Sequence, residues 1–306
     1  MHKFNIIKPS VARIDEKDNL KRIELAGRVC YKSEKKITED SARSFCEQIL
    51  QRGHTSVLEH SNVIVKVPRH IFDWIHSAMS LYEDATSKKA LLCCEPVNNL
   101  KEVIVSGNMR AWYEVLRLGS STLGFAGDPI LGFAGDPIFG AEDLEDLTPY
   151  LISADELSED MRWWHDRITL RIICDRGVSH ELVRHRVMSF SQESTRYVNY
   201  GKRGYTFIEP WWWKHQNGLI KHCLVNTMHH CVDTYQTMID EGATPQLARA
   251  VLPNQIKTEV VITATPLQWS EFLKLRLDKA AHPDMQRIAH LVRDALGDDV
   301  SSLVEG

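Results

Sequence analysis

The feature that most constrains the fold of this chain is a run of mostly apolar residues, Ile168 to Cys174, within RITLRIICDR. A nearly continuous apolar stretch of this length is typical of a strand that is well buried in a sheet. The strand leads directly into GVSHELVRHR, which predicts a short helix that opens after Gly177 with Ser179 as its N-cap. The basic residues at the end of GVSHELVRHR are therefore expected at the end of this short helix, which follows the buried strand directly.

The other segments alternate between helix and strand patterns without a regular βαβ rhythm. In 38–53, apolar residues recur at helical spacing between Thr38, a predicted N-cap, and Gly53, which lies just past the end. The residues NVIVKV that follow alternate like a half-buried strand. Further helices are predicted over 69–82, 214–241, 244–252, 266–277 and 282–296, and further strands over 103–105 and 258–265. Elements in this order favour an α+β fold over a doubly wound sheet.

The length and charge of the chain limit its possible functions. A chain of 306 residues forms two domains or one elaborated domain. The net charge of -4 excludes a global basic field for nucleic acid, so any anion site must be local. No apolar run approaches the ~20 residues of a membrane span, and the first residues, MHKFNIIKPS, lack the features of a signal peptide. We therefore expect a cytoplasmic protein that binds neither nucleic acid nor membrane.

The cysteines and a histidine cluster do not match the patterns of metal or redox sites. The seven cysteines are odd in number and form no CxxC pair, which disfavours a zinc ribbon or a dithiol redox site. We expect reduced, mostly buried thiols, with Cys93 and Cys94 in or near the core. Adjacent helical residues such as His229, His230 and Cys231 point about 100° apart and cannot share one ion. No metal is expected.

The segment RHRVMSFSQESTRY, residues 184–197, combines arginines with hydroxyl side chains, and we refer to it as the arginine segment. Guanidinium groups offer rigid forks of donors that match phosphate or carboxylate oxygens, and hydroxyls fill the remaining acceptor positions. The arginines and Ser194 together suit a phosphate. Alternatively, the basic residues cap a helix end or face solvent, and Glu193 simply neutralises an arginine. Composition alone therefore indicates an anion or nucleotide site.

Several other segments admit both a functional and a structural interpretation. HTSVLEH, residues 54–60, can supply metal ligands, an acid/base set or loop caps. Arg249 and Arg276 each lie among apolar helical residues and either reach a buried anion or extend to solvent. The tandem octapeptide GFAGDPIL and GFAGDPIF, at 124–139, lacks the spacing of a phosphate loop and predicts a duplicated surface loop. The acidic run 141–160 predicts a solvated connection.

The arginine segment also carries a family signature. Arg184, His185 and Arg186, followed after seven residues by Ser194, reproduce the RHR-x7-S motif of the flavin-dependent thymidylate synthases. Other blocks of the chain resemble the same family, namely GRVCY at 27–31, GHTSVLEH, SQESTRY, LARAVLP and EFLKLR. The long motif and the blocks on both sides of it make this resemblance specific.

The resemblance implies a methyltransferase that converts dUMP to dTMP. Methylenetetrahydrofolate would supply the methylene group, and NADPH would supply a hydride by way of FAD. The resemblance also implies a homotetramer with active sites between subunits, and an α+β fold in which a twisted, mostly antiparallel sheet is flanked by helices. The chain would form a single domain, 1–306, with an inserted strand-helix segment at about 69–164.

The resemblance assigns roles to individual residues. Catalytic roles fall on Arg184, Ser194 and Arg276. FAD contacts fall on Cys30, His54, Ser56, Glu59, Arg184, His185, Arg186, Val187, Glu271, Leu275 and His282. Contacts with dUMP fall on Glu181, Arg184, Gln192, Glu193, Ser194, Arg196, Arg276 and, from a neighbouring subunit, Arg249. Because reduced flavin replaces a cysteine nucleophile in this family, we expect the protein to supply positioning and charge, and no cysteine to be catalytic.

Two other functions agree less well with the sequence, and one segment departs from the family pattern. A thymidylate synthase without flavin would need an activated cysteine, for which LCCEP lacks the surrounding signature. An RNA-binding protein would use the RHR triplet and the tryptophans at 211–213, but the acidic net charge argues against it. These tryptophans are expected at a turn or a subunit contact. At 265–267 the chain reads TPL, where some family members place Asn and Arg against the flavin.

Overall fold

A computed structural model gives the structure of residues 2–73, 75–76, 93–97, 101–113, 148–186, 188–297 and 300. The helices with both ends among the described residues are α1 Asn19–Tyr31, α2 Ser41–Gln51, α3 Glu159–His165, α4 Arg176–Leu182, α5 Tyr200–Arg203, α6 Gly218–Asp240, α7 Pro245–Ala248, α8 Pro266–Arg276 and α9 Pro283–Leu296. Residues 69–73, 75–76 and 109–113 are also helical. The strands are β1 Phe4–Ile7, β2 Ser10–Ile14, β3 Val63–Pro68, β4 Cys93–Val97, β5 Glu102–Gly107, β6 Leu151–Ile152, β7 Ile168–Asp175, β8 Ser189–Gln192, β9 Tyr205–Ile208 and β10 Lys257–Ala264. Short 3-10 helices lie at Glu34–Lys36, Thr55–His60, Thr148–Tyr150, Ala154–Glu156 and Arg249–Val251.

Within the described ranges, the strands form three sheets. The central sheet has the order β2-β7-β10-β8 and is antiparallel throughout. A second antiparallel sheet has the order β4-β5-β3-β6, in which β3 pairs with β5 and β6, and β4 pairs with β5. Only the pair β1 and β9 is parallel. The α+β class and the mostly antiparallel pairing are confirmed.

The apolar strand β7 lies inside the central sheet, between β2 and β10, as its sequence predicted. Its side chains Leu170 and Ile172 are fully buried, and α8 and α9 cover them with large apolar residues that include Trp269 and Phe272. The Trp269 indole N–H donates a hydrogen bond to the Ile168 carbonyl at 3.1 Å, so the buried polar group of this ring is satisfied. This packing fixes α8 against the sheet and thereby fixes the residues at its end.

Two predicted helix caps were wrong. Helix α2 begins at Ser41 with Asp40 in the N-cap position, and Asp40 makes no side-chain capping bond. The Thr38 backbone N–H donates to the Ser41 hydroxyl at 2.9 Å, and Thr38 lies outside the helix. Helix α4 is capped by Asp175, whose carboxylate accepts from the Val178 N–H at 2.9 Å and so fills the role predicted for Ser179.

The bounds of other helices and strands also differ from the predicted ones. The long helix predicted from 214 starts at Gly218, after Asn217 accepts from the Ile220 N–H. The helix predicted over 244–252 divides into α7 and the 3-10 turn Arg249–Val251. In the acidic run, residues 148–160 contain β6, which pairs with β3, so this part is not a simple solvated connection. The predicted octapeptide loop, the end of the helix over 69–82 and the side chains of residues 93 and 94 lie outside the described residues.

The structure also bears on the state of the cysteine thiols and on membrane-spanning helices. The described cysteines Cys30, Cys46, Cys174, Cys223 and Cys231 are free, and Cys46 and Cys174 are buried. Among the helices that the structure describes, none is both long and apolar enough to cross a membrane.

Candidate functional site

The arginine segment runs along the edge of the central sheet. Its middle residues form β8, the edge strand that pairs with β10, with Phe190 opposite Ile262. Beyond the strand, the Glu193 backbone N–H donates to the Glu259 carbonyl at 2.8 Å and extends the pairing by one residue. The sheet therefore holds the middle of the segment rigidly, while the residues on either side of β8 are placed by other contacts.

Before β8, the segment meets the end of α8. The Arg276 guanidinium donates to the Glu181 carboxylate at 2.9 Å, to the Glu181 carbonyl at 3.3 Å and to the His185 Nε2 at 3.0 Å. The His185 ring also packs edge-on against Phe272, with ring centroids 4.9 Å apart. Three residues that the resemblance assigned to ligand contacts are thus brought together, although Arg276 and His185 are 91 residues apart in the chain.

The contacts of His185 define its protonation state. Burial of the ring, and then the nearby charge of Arg276, lower the pKa of His185 to about 4. The imidazole is therefore neutral at physiological pH. Because Nε2 accepts from Arg276, the ring proton lies on Nδ1. The site thus holds a neutral imidazole whose Nδ1–H has no acceptor among the residues that the structure describes.

After β8, the segment meets the end of α1. The Ser194 backbone N–H donates to the Cys30 carbonyl at 2.9 Å. The rings of Tyr31 and Tyr197 lie 5.2 Å apart, and the Tyr31 hydroxyl is 3.2 Å from the His54 Nδ1. This second group joins Cys30, His54 and Ser194, which the resemblance had placed at one site.

Arg196 is oriented by two contacts. Its Nε donates to the Gln246 side-chain oxygen at 3.1 Å, and its guanidinium carbon lies 5.5 Å from the centre of the Tyr197 ring. The guanidinium remains exposed, so it can still bind an anion. Arg249, on the 3-10 turn that follows α7, is exposed, and its guanidinium group has no hydrogen-bond or ion-pair partner among the described residues.

Gln192 and Glu193 face the protein interior. The Gln192 amide donates to Ser179 at 2.8 Å and to Thr258 at 3.2 Å. The Glu193 carboxylate accepts from Lys257 at 2.8 Å and from the Tyr200 hydroxyl at 3.0 Å, and its side chain is only 2% exposed. Glu193 therefore does not neutralise an arginine of the segment, which was one of the alternatives that the sequence left open.

The residues HTSVLEH form a 3-10 helix rather than an irregular loop. His60 is fully buried and lies 2.9 Å from both the Thr263 and the Ser191 hydroxyls of the central sheet. Burial, and then the charge of Arg22, lower the pKa of His60 to about 3, so the ring is a neutral structural link. Within this helix, Glu59 accepts from Arg110 at 2.6 Å, and Ser56 is exposed.

The remaining residues assigned by resemblance have different surroundings. Arg184, Arg186, Glu271 and Leu275 are exposed, and none of the described residues pairs with the two guanidinium groups. His282 is the N-cap of α9, where its Nδ1 accepts from the Asp284 N–H at 3.2 Å. Val187 lies outside the described residues. Within the described ranges, no group of three or more His, Cys, Asp or Glu side chains is placed to hold a metal ion.

The donor set of this region suits a large anionic ligand. Two exposed guanidinium groups, Arg184 and Arg186, stand before β8, and Ser194 and Arg196 stand after it. Guanidinium forks and a hydroxyl match the acceptor oxygens of phosphates. Phe272 is 1% exposed, so its ring orients the His185 imidazole from within the core. The exposed donors on both sides of β8 can therefore hold an anionic, phosphate-bearing ligand.

Sequence reasoning missed several residues that hold this region together. Tyr31, Tyr197 and Gln246 orient the residues that follow β8. Tyr31 and Tyr197 end the blocks GRVCY and SQESTRY, so their position in those blocks was a usable signal. Gln246 had no comparable signal, because its role depends on the approach of α7.

The chain is similar to known proteins of one family. The Thy1 family model, described as thymidylate synthase complementing protein, matches residues 14–76 and 161–299. The flavin-dependent thymidylate synthase of Geobacter sulfurreducens is 30% identical over 151 residues, which are 47% of this chain and 62% of that protein. The Pyrococcus furiosus protein of the same name is 27% identical over 136 residues, which are 43% of this chain and 55% of that protein. The chain thus spans less than two thirds of these relatives.

A solved structure was also found to be similar. It is the flavin-dependent thymidylate synthase ThyX from Helicobacter pylori, complexed with FAD and dUMP. The identity is 20%, the TM-score is 0.37, and the similarity covers 45% of this chain and 72% of that chain. At this TM-score the similarity carries no argument about the site.

Proposed function

Because this chain belongs to the Thy1 family, the flavin-dependent thymidylate synthases, we propose that it uses bound FAD to convert dUMP to dTMP. The observation that supports this activity best is the charge distribution of the arginine segment. Its one carboxylate, Glu193, is buried and held by Lys257, so the exposed charges of Arg184, Arg186 and Arg196 remain available for anionic ligands. A phosphate-rich cofactor and a nucleotide substrate both need such charges.

We assign the two sides of β8 to different ligands. Arg184 and Arg186, before β8, would bind the diphosphate of FAD. His54 and Ser56, which lie beside the residues after β8, would be further polar contacts of the same cofactor. Ser194 and Arg196 would bind dUMP, with Arg249 reaching the phosphate from a neighbouring subunit. When bound, FAD supplies the hydride transfer chemistry that no side chain of this protein can provide.

The protein's own residues then position the substrate and stabilise charge. Arg276 holds the neutral imidazole of His185 and fixes its donor on Nδ1. A guanidinium placed near the pyrimidine would stabilise negative charge that develops on a uracil carbonyl, because preorganised donors need no rearrangement during the reaction. Arg184, Ser194 and Arg276 are therefore the residues to which we assign catalytic roles.

The finer properties of the enzyme follow from the same family. We propose methylenetetrahydrofolate as the one-carbon donor and NADPH as the hydride donor. We also propose a cytoplasmic homotetramer with active sites between subunits. The chain would form one domain, with the segment at about 69–164 as an insertion.

The direct test is the absorption spectrum of the purified protein. We expect a yellow protein with the bands of oxidised flavin, which NADPH bleaches without oxygen. We expect Arg184→Ala and Ser194→Ala each to weaken binding of the ligand on its side of β8 by about tenfold, since each removes one hydrogen bond to a charged group. Flavin absorbance titration measures FAD, and calorimetry measures dUMP. A colourless protein that binds neither FAD nor dUMP would overturn the proposed function.

No catalytic role is expected for Cys30. Burial raises the pKa of the Cys30 and Cys174 thiols, and it raises the pKa of Cys46 to about 12. These thiols are protonated at physiological pH and are poor nucleophiles. We therefore expect Cys30→Ala to retain turnover within about threefold of wild type, as a small packing change would. Loss of turnover in a Cys30→Ala protein that still binds FAD would contradict this prediction.

A further inference from the structure

We propose that Lys32 is a positioning residue for the dUMP side of the site: its ammonium group fixes the part of the arginine segment that follows β8. This inference rests on the proposed function, because it names the ligand that residues 193–197 bind. It adds a residue that lies outside the RHR-x7-S motif. Three observations support it, namely the backbone of Lys32, the partners of its ammonium group and the contacts of its two neighbours.

The backbone of Lys32 is strained. The residue ends α1 with φ of 50° and ψ of 49°, in the left-handed region that glycine normally occupies at this place in a helix. Among the described residues, it is the only one other than glycine with a positive φ. A side chain that persists in this conformation must be held there by its surroundings, which is common at functional positions.

The ammonium group of Lys32 lies in a nearly buried ionic cluster. Its side chain is 10% exposed, and its Nζ lies 2.6 Å from the Glu259 carboxylate, 3.1 Å from Glu34 and 3.8 Å from Glu193. Lys257 bridges Glu193 and Glu259 at 2.8 Å and 2.6 Å. The other oxygen of Glu259 accepts from the Arg171 guanidinium.

The charges of this cluster balance. Lys32, Lys257 and Arg171 supply three cations, and Glu34, Glu193 and Glu259 supply three anions. Loss of Lys32 would leave an excess negative charge at two nearly buried carboxylates. Since an unpaired buried charge is unfavourable, the structure would move to expose or separate these carboxylates. Glu193, which begins the dUMP side of the segment, would move with them.

The two residues before Lys32 also contact the dUMP side of the segment. The Cys30 carbonyl accepts from the Ser194 N–H, and the Tyr31 ring lies against the Tyr197 ring. Three consecutive residues at the end of α1 thus contact residues 193–197 through a backbone bond, a ring contact and a charge. The Lys32 carbonyl in turn accepts from the Arg203 guanidinium on α5. Lys32 therefore sets the distance between α1 and the residues that would bind dUMP.

The test compares ligand affinities of the purified, FAD-loaded protein and its variants. We expect Lys32→Gln to raise the Kd for dUMP about tenfold, because one charge-assisted contact is lost and the segment shifts. The Kd for FAD is expected to change less than about twofold, since the Lys32 ammonium group pairs with Glu34, Glu193 and Glu259 and not with Arg184, Arg186, His54 or Ser56. Lys32→Gly is the second variant, because glycine adopts the left-handed conformation without strain. It is expected to lose dUMP affinity as Lys32→Gln does while retaining a cooperative thermal transition.

Two controls make the test specific. Lys36→Gln removes the same charge from an exposed residue of the adjacent 3-10 helix, and it should leave both affinities unchanged. Lys32→Arg keeps the charge and should restore the Kd for dUMP to within about threefold of wild type. The inference is overturned if the folded Lys32→Gln and Lys32→Gly proteins bind dUMP like wild type, or if FAD and dUMP affinity fall together. Failure of the wild-type protein to bind dUMP would instead overturn the proposed function and, with it, this inference.

Discussion

Replacement of Arg276 with methionine is expected to lower kcat about 100-fold, which is the effect of removing one preorganised donor from an active site. Methionine keeps much of the length and the apolar stem of arginine but has no guanidinium. The variant therefore loses the hydrogen bonds to Glu181 and His185 that join α8 to the arginine segment. Steady-state turnover of dUMP, measured at saturating substrate, would report the change.

A matched control lies on the same helix. Lys274 is exposed and two residues away, so Lys274→Met removes the same charge without touching the site. We expect its kcat to stay within about twofold of wild type, as is usual for exposed positions. Equal kcat values for the Arg276→Met and wild-type proteins would contradict the catalytic role.

His185 provides a second readout of the same substitution. Burial and then the charge of Arg276 lower the pKa of His185 from 6.5 to about 4. Removal of Arg276 eliminates the second cause and leaves burial, so the pKa should rise but remain below 6.5. The midpoint of the His185 ring signals in an NMR pH titration measures this shift. An unchanged midpoint would show that Arg276 does not contact the ring in solution.

Replacement of Glu259 with glutamine is expected to lower the free energy of unfolding by about 3–5 kcal/mol, the usual cost of removing one partner of a buried ion pair. The Glu259 side chain is 7% exposed and contacts Lys32, Lys257 and Arg171. The substitution leaves these cations with a neutral amide in place of a carboxylate. Urea unfolding at neutral pH measures the effect.

Glu34 is the control for this substitution, because it belongs to the same cluster but its side chain is 31% exposed. Glu34→Gln should cost at most about 1 kcal/mol, as expected for a pair that water screens. Equal losses in the Glu34→Gln and Glu259→Gln variants would mean that burial does not determine the strength of the cluster.

The contribution of Glu259 to stability depends on pH. Burial alone would raise the pKa of its carboxyl group, but the hydrogen bonds from Lys257 and Lys32 outweigh burial and lower the pKa from 4.5 to about 2. A carboxyl group with a lowered pKa in the folded state stabilises that state above its unfolded pKa, and the stabilisation is lost as pH falls toward the folded value. The difference in unfolding free energy between wild type and Glu259→Gln should therefore be constant above pH 4.5 and shrink toward pH 2.

The local pattern of the sequence predicted much of the fold. The apolar run Ile168 to Cys174 became the buried strand β7, and the segments from Pro266 and His282 became helices α8 and α9. Such patterns report which side chains of one segment share a face, and burial of that face is the main driving force for packing. The caps Thr38 and Ser179 were predicted wrongly, since α2 begins three residues after Thr38 and Asp175 accepts the backbone N–H at the start of α4.

The candidate site was only partly visible in the sequence. The motif spacing located Arg184, His185 and Ser194, but nothing in that spacing indicated that Arg276 would hold His185. Similarly, the sequence left open whether Glu193 neutralises an arginine of its own segment. The structure decided this by placing Lys257 beside it.

The sequence by itself determined the fold class, the buried central strand and the family to which the arginine segment belongs. The tertiary structure decided which charges pair, which histidines are neutral and where α1 meets residues 193–197. The physical reason is the range of the interactions. Hydrophobic periodicity is a property of neighbouring residues, whereas the pairing of Lys32 with Glu259 depends on how distant segments approach after folding. Burial then gives these pairs their strength, and no local pattern of residues encodes burial of a charge.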